Sequence, residues 1–277
     1  MTARRLLAAL TRRWGVVNSA VMGWLWARRA GHSPRHLGTA YGGWYCFTDL
    51  LRHGELAVCI GAGEDVSFDV ILNAQFGMRV KCIDATPRAI AHVEALLAAS
   101  ATKQTTFEDA KGAWRYSLRG FECARFQLLP FAVWSRDADL DLYLPRDPSH
   151  VSLSAVNLQN TSTTIKVKAR RLSTLLDAGE QGQVALLKMD IEGAEAEVIK
   201  DLASGSIRPR QLLVEFEEFN RPRGLWVLPR ALRFLKLLRR ADYQLCHVSG
   251  SNLLFVQRSA LSGLERSDPT HVMVVQS

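Results

Sequence analysis

Short apolar stretches alternate with helix-like patterns along the chain from about residue 55 onward. Residues 65–77 follow a helical period, and Pro87 opens a second helical stretch over 87–100 at its first turn. Buried strands are predicted at 55–61 ("ELAVCIG") and 184–190 ("VALLKMD"), and a further strand at 79–84 ("RVKCID"). Strands that alternate with helices in this way predict a parallel sheet covered by helices.

The second half of the chain continues the alternation of strands and helices and ends with two adjacent strands. Further strands are predicted at 124–135, where Pro130 requires a bulge or an interruption, and at 139–144, 164–169 and 211–219. Further helices are predicted at 171–179, 194–204 and 228–242. Two adjacent strand patterns, 243–249 and 252–259, then form a closing pair. The predicted fold class is α/β, with a mostly parallel sheet, helices on both faces and an antiparallel closing strand pair.

Acidic residues follow the ends of the predicted strands. The sequence "GAGED" carries Glu64 and Asp65 after the first strand, and Asp84 ends the second. Asp190 and Glu192 end "KMDIE", and Glu215 lies in the next strand. Ligands of such sheets bind beyond the carboxyl ends of the strands, near the reversal of strand order. An acidic rim there suits a cationic ligand or the removal of a proton.

The net charge of +8 is concentrated at the N-terminus. Residues 1–48 contain seven arginines and no acid, whereas the rest of the chain has 28 basic and 27 acidic residues. We therefore predict a basic amphipathic arm over 1–37, a main domain over 38–277 and no nucleic-acid partner. The arm is expected either to contact an anionic membrane surface or to pack on the body or on a partner chain.

Neither a membrane span nor a disulfide framework is expected from the sequence. No apolar run approaches the ~20 residues that a bilayer requires. The longest such stretch, 14–27, is 14 residues long, is interrupted by Asn18 and Ser19, and lacks a secretory cleavage site. The five cysteines are odd in number and never spaced as CxxC. We therefore expect a cytoplasmic protein that is at most peripheral to a membrane.

The glycines of "GAGED" predict a cofactor loop without the features of a dinucleotide site. Gly61 and Gly63 let a ligand approach the backbone, but Val66 stands where the dinucleotide motif has its third glycine. Glu64 and Asp65 would repel a pyrophosphate at the helix N-terminus. S-adenosylmethionine, a sulfonium without phosphates, fits better, and Asp84 is placed to bind ribose hydroxyls. The alternative is that Glu64 and Asp65 only favour the helix dipole.

Several motifs resemble those of the FkbM-type S-adenosylmethionine-dependent methyltransferases. They are "YGGW", "GEDVSFD", "DATPRAI", "FAVWS", "VKARRLSTLL", "LLVEFEEF" and, most specifically, "LLKMDIEGAEAEVI". The resemblance spans about residues 38–256. It implies a Rossmann-like methyltransferase fold and methyl transfer, commonly to a hydroxyl of a sugar or other natural product. Cys59 stands where many such enzymes carry an acid.

Methyl transfer to a hydroxyl requires alignment of the acceptor oxygen and removal of its proton. Asp190, at the end of a buried strand, is the first candidate for the base, and Glu215 is the alternative. For Glu192 a functional and a helix-capping role are equally favoured, whereas Glu195 is expected to be structural. A divalent metal held by Asp190, Glu192 and Glu215 ranks second, because no histidine supports it. The competing hypothesis is a catalytically silent binding module, motivated by Cys59.

Overall fold

The computed structural model describes residues 33–145, 153–154, 161–191, 193–216 and 227–264, which form a mixed α/β fold. The strands are β1 Arg35–Leu37, β2 Trp44–Cys46, β3 Leu56–Ile60, β4 Arg79–Ile83, β5 Thr106–Glu108, β6 Arg115–Ser117, β7 Phe126–Leu129, β8 Ala132–Val133, β9 Ala138–Tyr143, β10 Thr164–Arg170, β11 Val184–Met189, β12 Gln211–Glu215, β13 Tyr243–Ser249 and β14 Asn252–Gln257. The helices are α1 Ser67–Ala74, α2 Pro87–Ala101, α3 Leu172–Leu175, α4 Ala178–Gln181, α5 Glu195–Ser204, α6 Val227–Arg240 and α7 Arg258–Leu264.

The largest sheet has seven strands in the order β13-β14-β12-β11-β3-β4-β7. The neighbours from β7 through β4, β3 and β11 to β12 pair in parallel, and β14 pairs antiparallel to both β12 and β13. The chain moves outward from β3 to β4 and β7, then returns to β11 on the other side of β3 and moves outward again. The strand order therefore reverses between β3 and β11, and a crevice is expected at the carboxyl ends of these two strands.

Buried side chains cover both faces of this sheet. Ala57 and Cys59 of β3 belong to a core that includes residues of α1 and α2. Leu56, Val58 and Ile60 of the same strand point to the opposite core, which includes residues of α5 and α6. Alternate residues of a strand face opposite sides, so a strand covered on both sides needs apolar residues throughout. This explains the uninterrupted apolar run at 55–61.

Departures from the predicted elements have local causes. The predicted strand 124–135 is interrupted at Pro130, as expected, and becomes β7 and β8. The predicted helix 171–179 is instead two helices, because Asp177 and Glu180 form a capping box that starts α4. The hairpin β5–β6 was not predicted, since three-residue strands are too short to show a period. Strands β8, β10 and β9 form a separate small sheet rather than part of the large one.

The segment before β3 packs against the large sheet. Strand β1, which falls within the predicted arm, pairs with β2 of the predicted main domain. The backbone N–H of Phe47 donates to Oε1 of Gln211 at 2.7 Å, and Nε2 of Gln211 donates to the carbonyl of Phe47 at 3.0 Å. Both residues are buried. The N-terminal segment is thereby fastened to β12, 164 residues further along the chain.

Residues 1–32 of the predicted arm lie outside the described residues, so membrane contact and packing both stay predictions. None of the helices in the described part of the chain is long and apolar enough to cross a bilayer.

Candidate active site

A cavity of about 440 Å³ opens at the carboxyl ends of the strands on either side of the reversal in strand order. This volume is typical of a small-molecule or cofactor site. Its lining includes the predicted site residues Gly61, Gly63, Glu64, Asp65, Asp84, Asp190 and Glu215. The structure therefore brings together acids and glycines that are more than 150 positions apart in the sequence. Their roles remain predictions.

The loop after β3 requires glycine for a steric reason. Gly61 has φ of +81°, and a Cβ atom there would lie 1.8 Å from the carbonyl oxygen of Asp190. The backbone at the end of β3 thus passes against the end of β11, which a side chain would prevent. Gly63 has φ of +58° with open space around it, so only its backbone conformation favours glycine. The open space leaves this loop accessible from the cavity.

Asp84 binds the glycine loop through its carboxylate. Its Oδ2 accepts hydrogen bonds from the N–H groups of Ala62 at 2.8 Å and Gly63 at 3.1 Å, and its Oδ1 accepts from the N–H of Thr86 at 2.7 Å. A phosphate-binding loop needs such N–H groups for its ligand. Here a carboxylate of the protein already occupies two of them. A pyrophosphate would therefore lack these two N–H groups, which disfavours a nicotinamide dinucleotide.

Glu64 does not exclude phosphate in the way the sequence suggested. Its carboxylate accepts two hydrogen bonds from the Arg88 guanidinium, at 3.0 and 2.8 Å, and lies 3.6 Å from Nζ of Lys111. Two cations therefore offset its negative charge, which weakens the repulsion argument at this position. The exclusion of a pyrophosphate rests instead on Asp84.

Asp65 joins the cavity to the N-terminal segment. One carboxylate oxygen accepts from the hydroxyl of Thr39 and from the N–H of Gly42, the latter at 3.0 Å. The other accepts from the N–H of Ser67 at 3.0 Å, in the first turn of α1. The side chain is buried, at 4% exposure. Asp65 thus holds the 39–42 turn, part of the cavity wall, against the start of a helix.

Asp190 and Glu215, the two candidate bases, both line the cavity, at the ends of β11 and β12. The N–H of Asp190 donates to the carbonyl of Ile60 at 3.1 Å, which continues the parallel pairing of β11 with β3. The carboxylate of Glu215 accepts a hydrogen bond from the hydroxyl of Ser251 at 2.8 Å, in the turn between β13 and β14. Glu192 lies outside the described residues. Within the described ranges, no three His, Cys, Asp or Glu side chains are grouped so that they could hold a metal.

Glu195 supports the turn that carries Asp190. Its Oε1 accepts from the N–H groups of Ile191 at 3.2 Å and Gly193 at 3.1 Å, as a structural helix-start acid should. Burial raises the pKa of Glu195 to about 7, although these backbone bonds act in the opposite direction. The nearby charge of Glu215 also contributes to the rise. Protonation of Glu195 is therefore coupled to the charge of Glu215, the alternative base.

Three parts of the cavity were missed by sequence reasoning. Trp44 and Tyr41 come from the N-terminal segment, and the β13–β14 turn contributes Ser249–Asn252. The small sheet contributes an apolar wall made of Val133, Leu140 and Leu142. Tyr41 and Trp44 belong to the motif "YGGW", and Lys188, which also lines the cavity, carried a signal of its own. Lys188 is a lone lysine inside an otherwise apolar strand, and buried lysines require a partner.

Residues 124–245 match the family model described as the Methyltransferase FkbM domain. The resemblance is thereby confirmed over that part of the chain, which contains β11, β12 and the motif "KMDIEG". The glycine loop and Asp84 lie before the matched region. No curated protein sequence matches the chain.

Two solved structures are similar at low identity. One is a candidate sarcosine dimethylglycine methyltransferase from Galdieria sulphuraria, with TM-score 0.33, 9% identity, and coverage of 86% of this chain and 63% of that one. The other is an O-methyltransferase family 2 protein from Planctomyces limnophilus in complex with apigenin, with TM-score 0.34, 13% identity, and coverage of 93% and 62%. The chain spans less than two thirds of each. Both likenesses are too distant to carry an argument.

Proposed function

We propose that the protein is an S-adenosylmethionine-dependent O-methyltransferase with a Rossmann-like methyltransferase fold. Its acceptor is a hydroxyl of a sugar, a glycan or another natural product. The observation that carries the proposal is an acid-lined cavity in which Asp84 occupies the amides of the glycine loop. Such a cavity favours a cationic cofactor over a phosphorylated one. The family match at residues 124–245 supports methyl transfer.

The residues present fit this cofactor chemically. Gly61 and Gly63 leave the loop backbone open to close approach, and the lining acids attract a positive charge. Oδ2 of Asp84 already accepts two hydrogen bonds and Oδ1 accepts one, so Oδ1 keeps a lone pair that can accept from a ribose hydroxyl while Asp84 holds the loop. Bound in the cavity, S-adenosylmethionine would supply an activated methyl group.

Side chains at the ends of β11 and β12 would align the acceptor hydroxyl and remove its proton. Asp190 is proposed as the general base that takes the hydroxyl proton, with Glu215 as the alternative. The apolar wall of Val133, Leu140 and Leu142 would limit the access of water, which strengthens the interaction of a carboxylate with the acceptor hydroxyl. The hydroxyl of Ser251 donates to Glu215, and its oxygen can also accept a hydrogen bond that helps to align the acceptor.

Calorimetry on the full chain with S-adenosylmethionine, S-adenosylhomocysteine and NAD tests the cofactor assignment. We expect the first two ligands to bind and NAD not to bind. Binding of NAD alone would exclude the proposal.

Transfer of a labelled methyl group to a panel of glycans and hydroxylated natural products tests the reaction. Cofactor binding without transfer to any member would favour the silent binding module. Cys59, which motivated that alternative, is fully buried and absent from the cavity lining. An acid at position 59 would therefore not face the ligand directly.

A further inference from the structure

A lysine is buried beneath the glycine loop, at the reversal of strand order. Lys188 of β11 is 3% exposed and lies in register with Cys59 of β3. Its Nζ donates to the carbonyl oxygen of Gly61 at 2.6 Å and lies 5.7 Å from the centre of the Trp44 ring. Lysine is almost never fully buried without a partner, because an ammonium loses its hydration there. The position of this charge therefore needs an explanation.

A second buried charge lies in the helix that packs against the same face of the sheet. Asp69, in the first turn of α1, is fully buried beside the thiols of Cys59 and Cys82, and neither carboxylate oxygen has a nitrogen or oxygen hydrogen-bond partner among the described residues. Burial alone would lower the pKa of Lys188, but the charges of Asp69 and Asp190 outweigh it and raise the pKa. Burial raises the pKa of Asp69, which Lys188 opposes. The two side chains therefore support each other's charged state across the space beneath the loop.

We infer that Lys188 is a positioning residue, which holds the Gly61 carbonyl and thereby sets the glycine loop in the conformation that binds the cofactor. The inference rests on the proposed function for the identity of the ligand. The loop is thus held from two directions, since Asp84 accepts from its N–H groups and Lys188 donates to its carbonyl.

A neighbouring strand offers a matched control. Lys81 of β4 is also a buried lysine, at 8% exposure. Its Nζ donates to the carbonyl of Leu175 at 3.2 Å and to Oε2 of Glu180 at 2.5 Å. Lys81 thus also donates to a carbonyl, and its acid is in direct contact with it, but it is absent from the cavity lining. Removing this pair tests what the loss of a buried lysine and its acid does to the fold alone.

The experiment compares the double variants D69N/K188M and K81M/E180Q with the wild type. Removing both charges at once avoids leaving one buried charge uncompensated. We expect D69N/K188M to melt cooperatively and to bind S-adenosylmethionine about 10-fold or more weakly, since a hydrogen bond from a charged donor is lost. Amide exchange at Ala62 and Gly63 should become faster without ligand. K81M/E180Q should keep the wild-type affinity and loop exchange.

The inference is wrong if D69N/K188M folds and keeps both wild-type affinity and wild-type loop exchange. It is also wrong if K81M/E180Q weakens binding equally, because the effect would then be general destabilisation. If the double variant does not fold, the isosteric single variant D69N is measured in its place. Slower amide exchange in the loop, or an unchanged affinity for S-adenosylmethionine, would then contradict the inference. If the wild type binds no S-adenosylmethionine, the proposed function fails, while loop exchange still tests the positioning role.

Discussion

On one side of the cavity, the carboxylates of Asp65 and Asp84 accept hydrogen bonds from backbone N–H groups, whereas on the other side Glu215 accepts from the hydroxyl of Ser251. We call these the loop side (Gly61–Asp65 and Asp84) and the β11–β12 side (Asp190, Glu215 and Ser251). A backbone N–H has a fixed direction, so the acids it binds are part of the frame. A hydroxyl can rotate toward another acceptor. Loop-side acids should therefore govern binding, and β11–β12 acids should govern turnover.

The largest effect is expected from Asp190→Asn. The amide keeps the shape of the side chain but cannot accept the acceptor's proton, and loss of a general base typically lowers the rate about 10²–10⁴-fold. Cofactor affinity should stay close to the wild-type value. Turnover measured beside calorimetric affinity separates the two quantities, and Glu215→Gln should reduce turnover less.

Two results would overturn this assignment. Near-full turnover of Asp190→Asn with loss in Glu215→Gln would reverse the roles, and full turnover in both would make the acids structural. If a metal is required, both substitutions would be severe, and a chelator would abolish activity that magnesium restores.

Asp84→Ala should produce the next largest effect, on binding. The substitution leaves the N–H groups of Ala62, Gly63 and Thr86 without their acceptor, at about 1–3 kcal/mol for each group that stays buried. We expect S-adenosylmethionine affinity to fall by roughly 100-fold. Asp177→Ala, which removes a capping carboxylate of α4 that does not line the cavity, is the control. An unchanged affinity in Asp84→Ala would show that the loop-side acids do not govern cofactor binding, which contradicts the distinction between the two sides.

Glu195 should make stability depend on pH. The folded protein holds the proton of Glu195 up to about pH 7, whereas the unfolded chain releases it near the ordinary value of 4.5. Folding takes up a proton between these values, so the stabilisation is complete below about 4.5 and is lost as the pH rises through about 7. The change is at most about 3 kcal/mol.

Denaturant unfolding at about pH 5 and about pH 8 measures the contribution of Glu195 to the free energy of unfolding. The wild type is compared with Glu195→Gln, which lacks the titrating carboxyl group. Titration of other groups is common to both proteins and cancels in the comparison. An equal pH dependence in the two would show that Glu195 is ionised in the folded state throughout the range.

Glu64→Gln should have the smallest effect, although it is also on the loop side. Its partner Arg88 has a side chain that is 40% exposed, and exposed ion pairs contribute about 0–1 kcal/mol. Cofactor affinity should therefore change by less than about 5-fold. A loss of affinity as large as that in Asp84→Ala would mean that the loop side binds the cofactor through its net negative charge rather than through hydrogen bonds to the backbone.

The sequence predicted the central strands well, because strands covered on both faces leave largely apolar runs. The ends of those strands also located the cavity. Partners could not be predicted in the same way. That Asp84 accepts from Ala62, or that Arg88 offsets Glu64, depends on loop conformations that leave no periodic signal. The separate small sheet was not predicted for a similar reason, since an alternating pattern does not say which strand lies beside it.

The Phe47–Gln211 pair has a consequence for how the chain reaches its native state. During synthesis, Phe47 emerges from the ribosome well before its partner, which lies 164 residues later. Until β12 is made, the N–H and C=O groups of Phe47 lack their native partner, and Trp44 cannot complete the cavity wall. Contacts so far apart in sequence form slowly, because a long loop must close first. Cofactor-binding competence should therefore appear late in refolding, after β12 has docked, rather than with the earlier β3–β4 units.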